Sequence, residues 1–167
     1  MIKFRSYLDR ILRHAIAFLL AAMVLNVVWQ VFTRFVTRTP SSFTEEAARY
    51  AMIWLGLLGA AYCTGRRSHL ALDLLPGMLP GKARRILELV IEVIVLVFAL
   101  AILIVGGGRL VWITLQLGQT SAALEIKLGY VYLAVPISGL IIAFYGLMAL
   151  IDTLRGKVPA SPKEVAS

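Results

Sequence analysis

Charged side chains crowd one ten-residue stretch, SSFTEEAARY at positions 41–50. Ser42 and Glu45 have capping-box spacing, in which hydroxyl and carboxylate satisfy stray backbone N–H groups and start a helix. Glu45 and Arg49 stand four apart in the favourable order, and Glu46 and Arg49 three apart. Two readings follow. In one, a well-capped helix carries a surface ion pair of little energetic weight. In the other, charges at a membrane boundary bind another subunit. Glu88 and Glu92 form a second carboxylate pair, preceded by Arg84 and Arg85. Glu92 would lie one turn, about 5.4 Å, deeper than Glu88. There it could bind a proton or cation, or a residue of a partner helix. The reading favoured by the nearby arginines is an interfacial ion pair with Arg85 or with lipid.

The remaining polar residues offer less. Asn26 and Gln30 share a helix face and suit hydrogen bonds between helices. Cys63 lacks an accompanying catalytic histidine and reads as a small packing residue. His14 and His69 fall at segment boundaries and do not form a facing haem-ligand pair. The sequence contains no Walker A loop, HExxH motif or nucleophile elbow. No cofactor is expected.

The elements that position these residues follow from composition. Of 167 residues, 60% are apolar and 16% charged, with a mean hydropathy of +0.85. A short chain cannot hide that apolar excess in one water-soluble core. The reading is an all-α integral membrane protein, because lipid offers the backbone no hydrogen-bond partners and the apolar runs do not alternate as barrel strands do. Residues 1–155 form a single four-helix membrane domain, with spans near 14–34, 47–65, 89–110 and 128–151. Residues 156–167 read as a disordered tail. The first and last spans reach the length of roughly 20 residues that a bilayer requires; the middle two need snorkelling or paired charges at their ends. The first span is too long for a signal peptide and is expected to be retained.

Of 17 basic residues, twelve fall in the N-terminal, middle and C-terminal segments that would share one side, and five on the other. The positive-inside rule then puts both termini in the cytoplasm. Acidic residues number nine, so the net charge is +8. This basic excess suits anionic lipid; without a basic stripe interleaved with stacking aromatics, nucleic acid is not expected as a partner.

Several finer features are expected. Residues 2–14 suit an amphipathic interfacial helix or a frayed tail, and residues 69–80 a short, proline-broken interfacial helix. Residues 82–117 look continuously helical, with Gly106–Gly108 as the weak point. Pro136 removes the bond to the Tyr132 carbonyl and should bend the last span. Gly56, Ala60 and Thr64, and also Gly139 and Ala143, form small-residue stripes that allow close helix approach. Trp29, Trp112, Tyr130 and Tyr132 suit an aromatic belt, whereas Trp54 lies deep enough to contact protein.

Taken together, NVVWQVFTRF (26–35), SSFTEEAARYAMIWLGLLGAA (41–61), RRSHLALDLLPGMLP (66–80) and TSAALEIKLGYVYLAVPIS (120–138) resemble the small membrane subunit of tripartite ATP-independent periplasmic (TRAP) transporters, the DctQ-like family. GYVYLAVPIS resembles the sialic-acid branch. The family favours tryptophan or another aromatic before the glutamate pair, a place that Phe43 fills here. The resemblance implies a multi-pass protein of the bacterial inner membrane. It also implies a large multi-span subunit that carries substrate and sodium and moves as an elevator, and a periplasmic substrate-binding protein that delivers a small organic acid. The chain itself would be no enzyme. Trp29, Arg34, Glu45, Glu46, Arg49, Trp54, His69, Glu92 and Tyr130 become candidates for subunit contact or membrane anchoring. Two other readings stand beside this one: a self-sufficient oligomeric transporter or channel, and the membrane anchor of a redox enzyme.

Overall fold

A computed structural model of the chain describes residues 2–37, 42–66 and 81–154. The elements are α1 (Ile2–Phe32), continued by a π segment Thr33–Thr37; α2 (Ser42–Gly65); α3 (Gly81–Phe98); a π segment Ala99–Gly106; α4 (Gly107–Gln116); α5 (Leu128–Tyr132); and α6 (Ala134–Leu154). Among the described residues, three helical stretches are long and apolar enough to cross a membrane: Arg5–Val36, Arg85–Gln116 and Leu128–Leu154. Helix α2 has 24 residues, long enough at about 1.5 Å each, but Glu45, Glu46 and Arg49 dilute its apolar character in the first two turns.

Helices α1 and α2 pack antiparallel, as bonds at both ends of that pair show. Arg5 on α1 donates to the Gly65 carbonyl at the end of α2, while Asn26 donates to the Thr44 carbonyl at its start, at 2.7 Å. Arg85 on α3 donates to the Leu154 carbonyl at the end of α6, at 2.9 Å. The Tyr145 hydroxyl donates to Asp9. The beginning of α1 and the end of α6 therefore share one end of the bundle.

Two small clusters make the core. Leu12, Leu58 and Tyr145 join α1, α2 and α6, with Leu8, Ile16, Leu19 and Trp54 packed around them. Ala61, Ala99 and Ile142 join α2, the second π segment and α6. Leu12 is 2% exposed. Leu8 and Leu12 on the apolar side of residues 2–14 thus pack against protein, Ile11 stays 46% exposed, and the segment runs on into the first span as one helix.

The glycines at 106–108 do not break the long rod, which stays helical from Gly81 to Gln116. Its departure from α geometry is the π stretch at Ala99–Gly106. Pro136 removes its backbone bond, as expected. With no N–H to meet the Tyr132 carbonyl, the final segment is interrupted at Leu133, between α5 and α6. Gly139 permits the close contact foreseen for its stripe: a Cβ there would stand 2.6 Å from Leu103 Cβ. The other stripe does not pack within the chain. A Cβ on Gly56 would meet nothing within 4 Å, and Ala60 is exposed. Residues 69–80 and 156–167 lie outside the described residues.

Candidate functional site

The glutamate pair separates into two roles. Helix α2 begins at Ser42, so Glu45 and Glu46 occupy its first turns and diverge by about 100° around the axis. Glu45 points outward and accepts from Arg49 at 3.2 Å, both side chains being about two-thirds exposed (66% and 67%). Such an exposed pair contributes about 1 kcal/mol at most. Glu46 turns toward the loop joining α4 to α5. The backbone N–H groups of Ala123 and Leu124 donate to its Oε2 at 2.8 and 3.2 Å. The Tyr50 hydroxyl donates to its Oε1 at 2.7 Å.

The loop is shaped to present those donors. Helix α4 ends in a Schellman turn: the N–H of Gly118 bonds the Leu115 carbonyl, and that of Gln119 bonds the Thr114 carbonyl. Gly118 adopts φ +60°, the left-handed conformation that glycine accepts without strain. The chain then folds back, with Ser121 N–H donating to Ile126 O and Leu128 N–H to Gln119 O, each at 2.9 Å. Leu124 N–H also reaches Ser121 Oγ at 3.2 Å. Consecutive N–H groups thus converge on one carboxylate. The Ser121 hydroxyl foremost, then Tyr50 and the Ala123 and Leu124 amides, holds the Glu46 carboxyl down at about 2 against the opposing effect of desolvation. Glu46 is ionised at neutral pH and serves as a clasp between α2 and the loop.

The other candidates are distributed around the bundle. Trp29 is 57% exposed and stacks on Phe32, with ring centroids 5.9 Å apart. Arg34 is exposed in the first π segment. Tyr130 is exposed on α5 and Trp112 on α4. Trp54 packs against the core cluster, as its depth suggested. His69 lies outside the described residues. Glu92 accepts from the buried Thr153 hydroxyl at 3.0 Å. The Arg85 guanidinium donates to the Leu154 carbonyl at the same end of the bundle. Asn26 makes the foreseen bond between helices. Gln30 offers its backbone carbonyl to Thr33 at 3.0 Å. Cys63 is exposed rather than packed.

Sequence reading missed the Ser121–Leu124 turn as the partner of Glu46. The two are separated by 77 residues, and no local spacing encodes that meeting. Gly118 following a helical run was the available signal for the turn itself.

Residues 23–156 match the family described as tripartite ATP-independent periplasmic transporters, DctQ component. The chain is 31% identical over 142 residues to the sialic acid TRAP transporter small permease protein SiaQ of Vibrio cholerae serotype O1, covering 82% of this chain and 78% of that protein. It is 30% identical over 146 residues to a putative TRAP transporter small permease protein of Haemophilus influenzae, covering 84% and 88%. A third similarity, 31% over 118 residues, is to the isethionate TRAP transporter permease protein DctMQ of Oleidesulfovibrio alaskensis. It covers 70% of this chain but 18% of that protein.

Proposed function

The chain belongs to the DctQ component family of tripartite ATP-independent periplasmic transporters, and from that premise we propose its working role. It is the small membrane subunit of a TRAP-type secondary transporter in the bacterial inner membrane. It braces a large, sodium-coupled elevator subunit during uptake of a small organic acid, a carboxylate such as sialic acid or a C4-dicarboxylate. A periplasmic binding protein delivers that solute. Four crossings leave both termini in the cytoplasm, in keeping with the twelve-to-five division of basic residues.

The observation that carries this reading is where the polar side chains go. Asn26, Glu46, Asp9 and Glu92 all bond within the chain, near the ends of the bundle. The outward faces are apolar, with Phe18, Leu25, Val105 and Trp112 each more than half exposed. Bundles tied internally and apolar outside suit a scaffold. A solute path would need polar groups on broken helices near the midplane. The similarity to a permease protein of which the matched stretch is 18% favours a partner far larger than this chain. The exposed Trp29, Arg34, Glu45, Arg49 and Tyr130, together with the open stripe at Gly56, Ala60 and Thr64, are the surface we assign to that partner.

The test is purification of the full chain in mild detergent with whatever accompanies it, followed by uptake assays in liposomes. A large multi-span permease should travel with it, and uptake should require both. Solute uptake by this chain alone would overturn the proposal in favour of a self-sufficient transporter.

A further inference from the structure

At the end of the bundle where α1 begins and α2 finishes, a cleft of about 290 Å³ opens, lined by Arg5, Ser6, Asp9, Arg13, Tyr62 and Arg66. The proposed scaffold role makes no use of it. Three guanidinium groups face one carboxylate, and both walls are held by bonds within the chain. Asp9 accepts the Tyr145 hydroxyl. Arg66 donates to the Tyr62 hydroxyl at 3.1 Å and lies 5.7 Å from that ring's centroid. The Gly65 carbonyl engages one nitrogen of Arg5, whose guanidinium carries five N–H donors in all. Arginine's planar fork matches phosphate oxygens two at a time. Ser6 adds a hydroxyl to the same wall.

The surface leading away from the cleft is apolar. On α1 the face of Arg13 continues through Leu20, Val24 and Val27, seven, eleven and fourteen residues on, a spacing that keeps them in line. Those three are 48%, 52% and 42% exposed. On α2, one turn before Tyr62, Gly59 has nothing within 4 Å of the place a Cβ would occupy. A cationic cleft therefore heads an apolar strip on a membrane helix. A soluble anion would use the cleft alone; an amphiphile would use both. The volume falls at the lower edge of the roughly 300–1,000 Å³ typical of ligand sites and suits a headgroup.

We propose that this cleft binds a phosphate group, carried by the headgroup of an anionic phospholipid whose acyl chains follow the strip on α1. Basic pockets between membrane helices hold such headgroups. The experiment is native mass spectrometry of the full chain in mild detergent with phosphatidylglycerol or phosphatidylcholine at equal mole fraction. In parallel, thermal unfolding is followed with inorganic phosphate. The wild-type chain should retain phosphatidylglycerol preferentially. Arg13→Gln and Arg66→Gln should each weaken that preference by roughly fivefold. Arg109→Gln, which removes an exposed arginine on α4, should leave it intact. Equal retention of the two lipids by the wild type would overturn the proposal, without depending on any variant. So would an Arg109→Gln effect as large as that of Arg13→Gln, which would mark bulk charge. Stabilisation by inorganic phosphate with no lipid preference would assign the cleft to a soluble anion and overturn the lipid assignment.

Discussion

The sharpest structural prediction concerns two glycines that look alike in sequence. Gly139 lies where α6 comes closest to the long rod. A Cβ there would stand 2.6 Å from Leu103 Cβ, 3.1 Å from Ile104 Cγ1 and 3.2 Å from the Leu103 carbonyl carbon. Carbon atoms rest roughly 3.5–4.0 Å apart, so even a methyl group asks the helices to separate by about 1 Å. Leu103 Cβ is fixed to its backbone and cannot swing aside. Overpacking of this kind costs about 1–3 kcal/mol. Alanine's better helix propensity offsets about 1 kcal/mol of that, so Gly139→Ala should destabilise by about 0–2 kcal/mol. Gly139→Leu brings more volume with no further gain in propensity, and its cost should exceed about 2 kcal/mol. The matched control is Gly56→Leu, whose Cβ meets open space and which, with the same gain in helix propensity, should leave the isolated chain as stable as before or more stable by up to about 1 kcal/mol. Equilibrium unfolding in mixed micelles, followed by tryptophan fluorescence, measures both. If Gly139→Leu unfolds at the same denaturant fraction as Gly56→Leu, the packing between α6 and the rod is not as described. On the proposed function, Gly56→Leu should instead reduce recovery of the large subunit.

Other expectations are measurable in the same preparations. Glu46→Gln places an NH2 group among the Ala123 and Leu124 donors and should speed hydrogen exchange at residues 121–124, while Glu45→Ala should not. Because the Glu46 carboxyl is held at about 2 rather than its ordinary 4.5, the clasp contributes fully above pH 4.5. Its contribution should fade as pH drops from there through about 2, which exchange at those amides, corrected for intrinsic rate, will follow. Asn26→Leu removes the bond to the Thr44 carbonyl and should lower stability by about 0.6–2 kcal/mol in the same unfolding assay. Glu45→Ala should shift the unfolding midpoint by less than about 1 kcal/mol while reducing copurification of the large subunit; unchanged recovery would remove Glu45 from the proposed contact.

Much of the helical framework was legible in the sequence, because uncharged runs and proline act locally. The Leu133 interruption follows directly from Pro136, and the Asn26 bond from a polar residue on an apolar face. Helix α2 was legible as a helix but carries its charges too near its apolar run to match the other three stretches by composition. The small-residue stripes were legible as stripes, yet Gly139 meets Leu103 while Gly56 faces outward, since four-residue spacing records a shared face and not what covers it. The same limit applies to Glu46. Its neighbour Glu45 has the same chemistry, and only the fold of residues 117–127, far along the chain, distinguishes the bonded, half-buried role from the exposed one.

The wide turn at Ala99–Gly106 sets the bearing of the whole rod. Val95, Ala99, Leu103, Gly107 and Val111 follow one another at intervals of four, and each is buried or half-buried. In an unbroken α-helix, steps of four would carry such a line around the cylinder by roughly 40° each, about 160° from first to last. A π stretch, bonded from each residue to the fifth along, takes more residues per revolution and winds the line back. The rod can thus keep one flank toward α6 over most of its length. Ordinary α winding imposed on the same residues, with none removed, would swing everything beyond them by about 100°. Gly107 would leave its seat against Val135 and Pro136, and the hairpin that grips Glu46 would be aimed elsewhere.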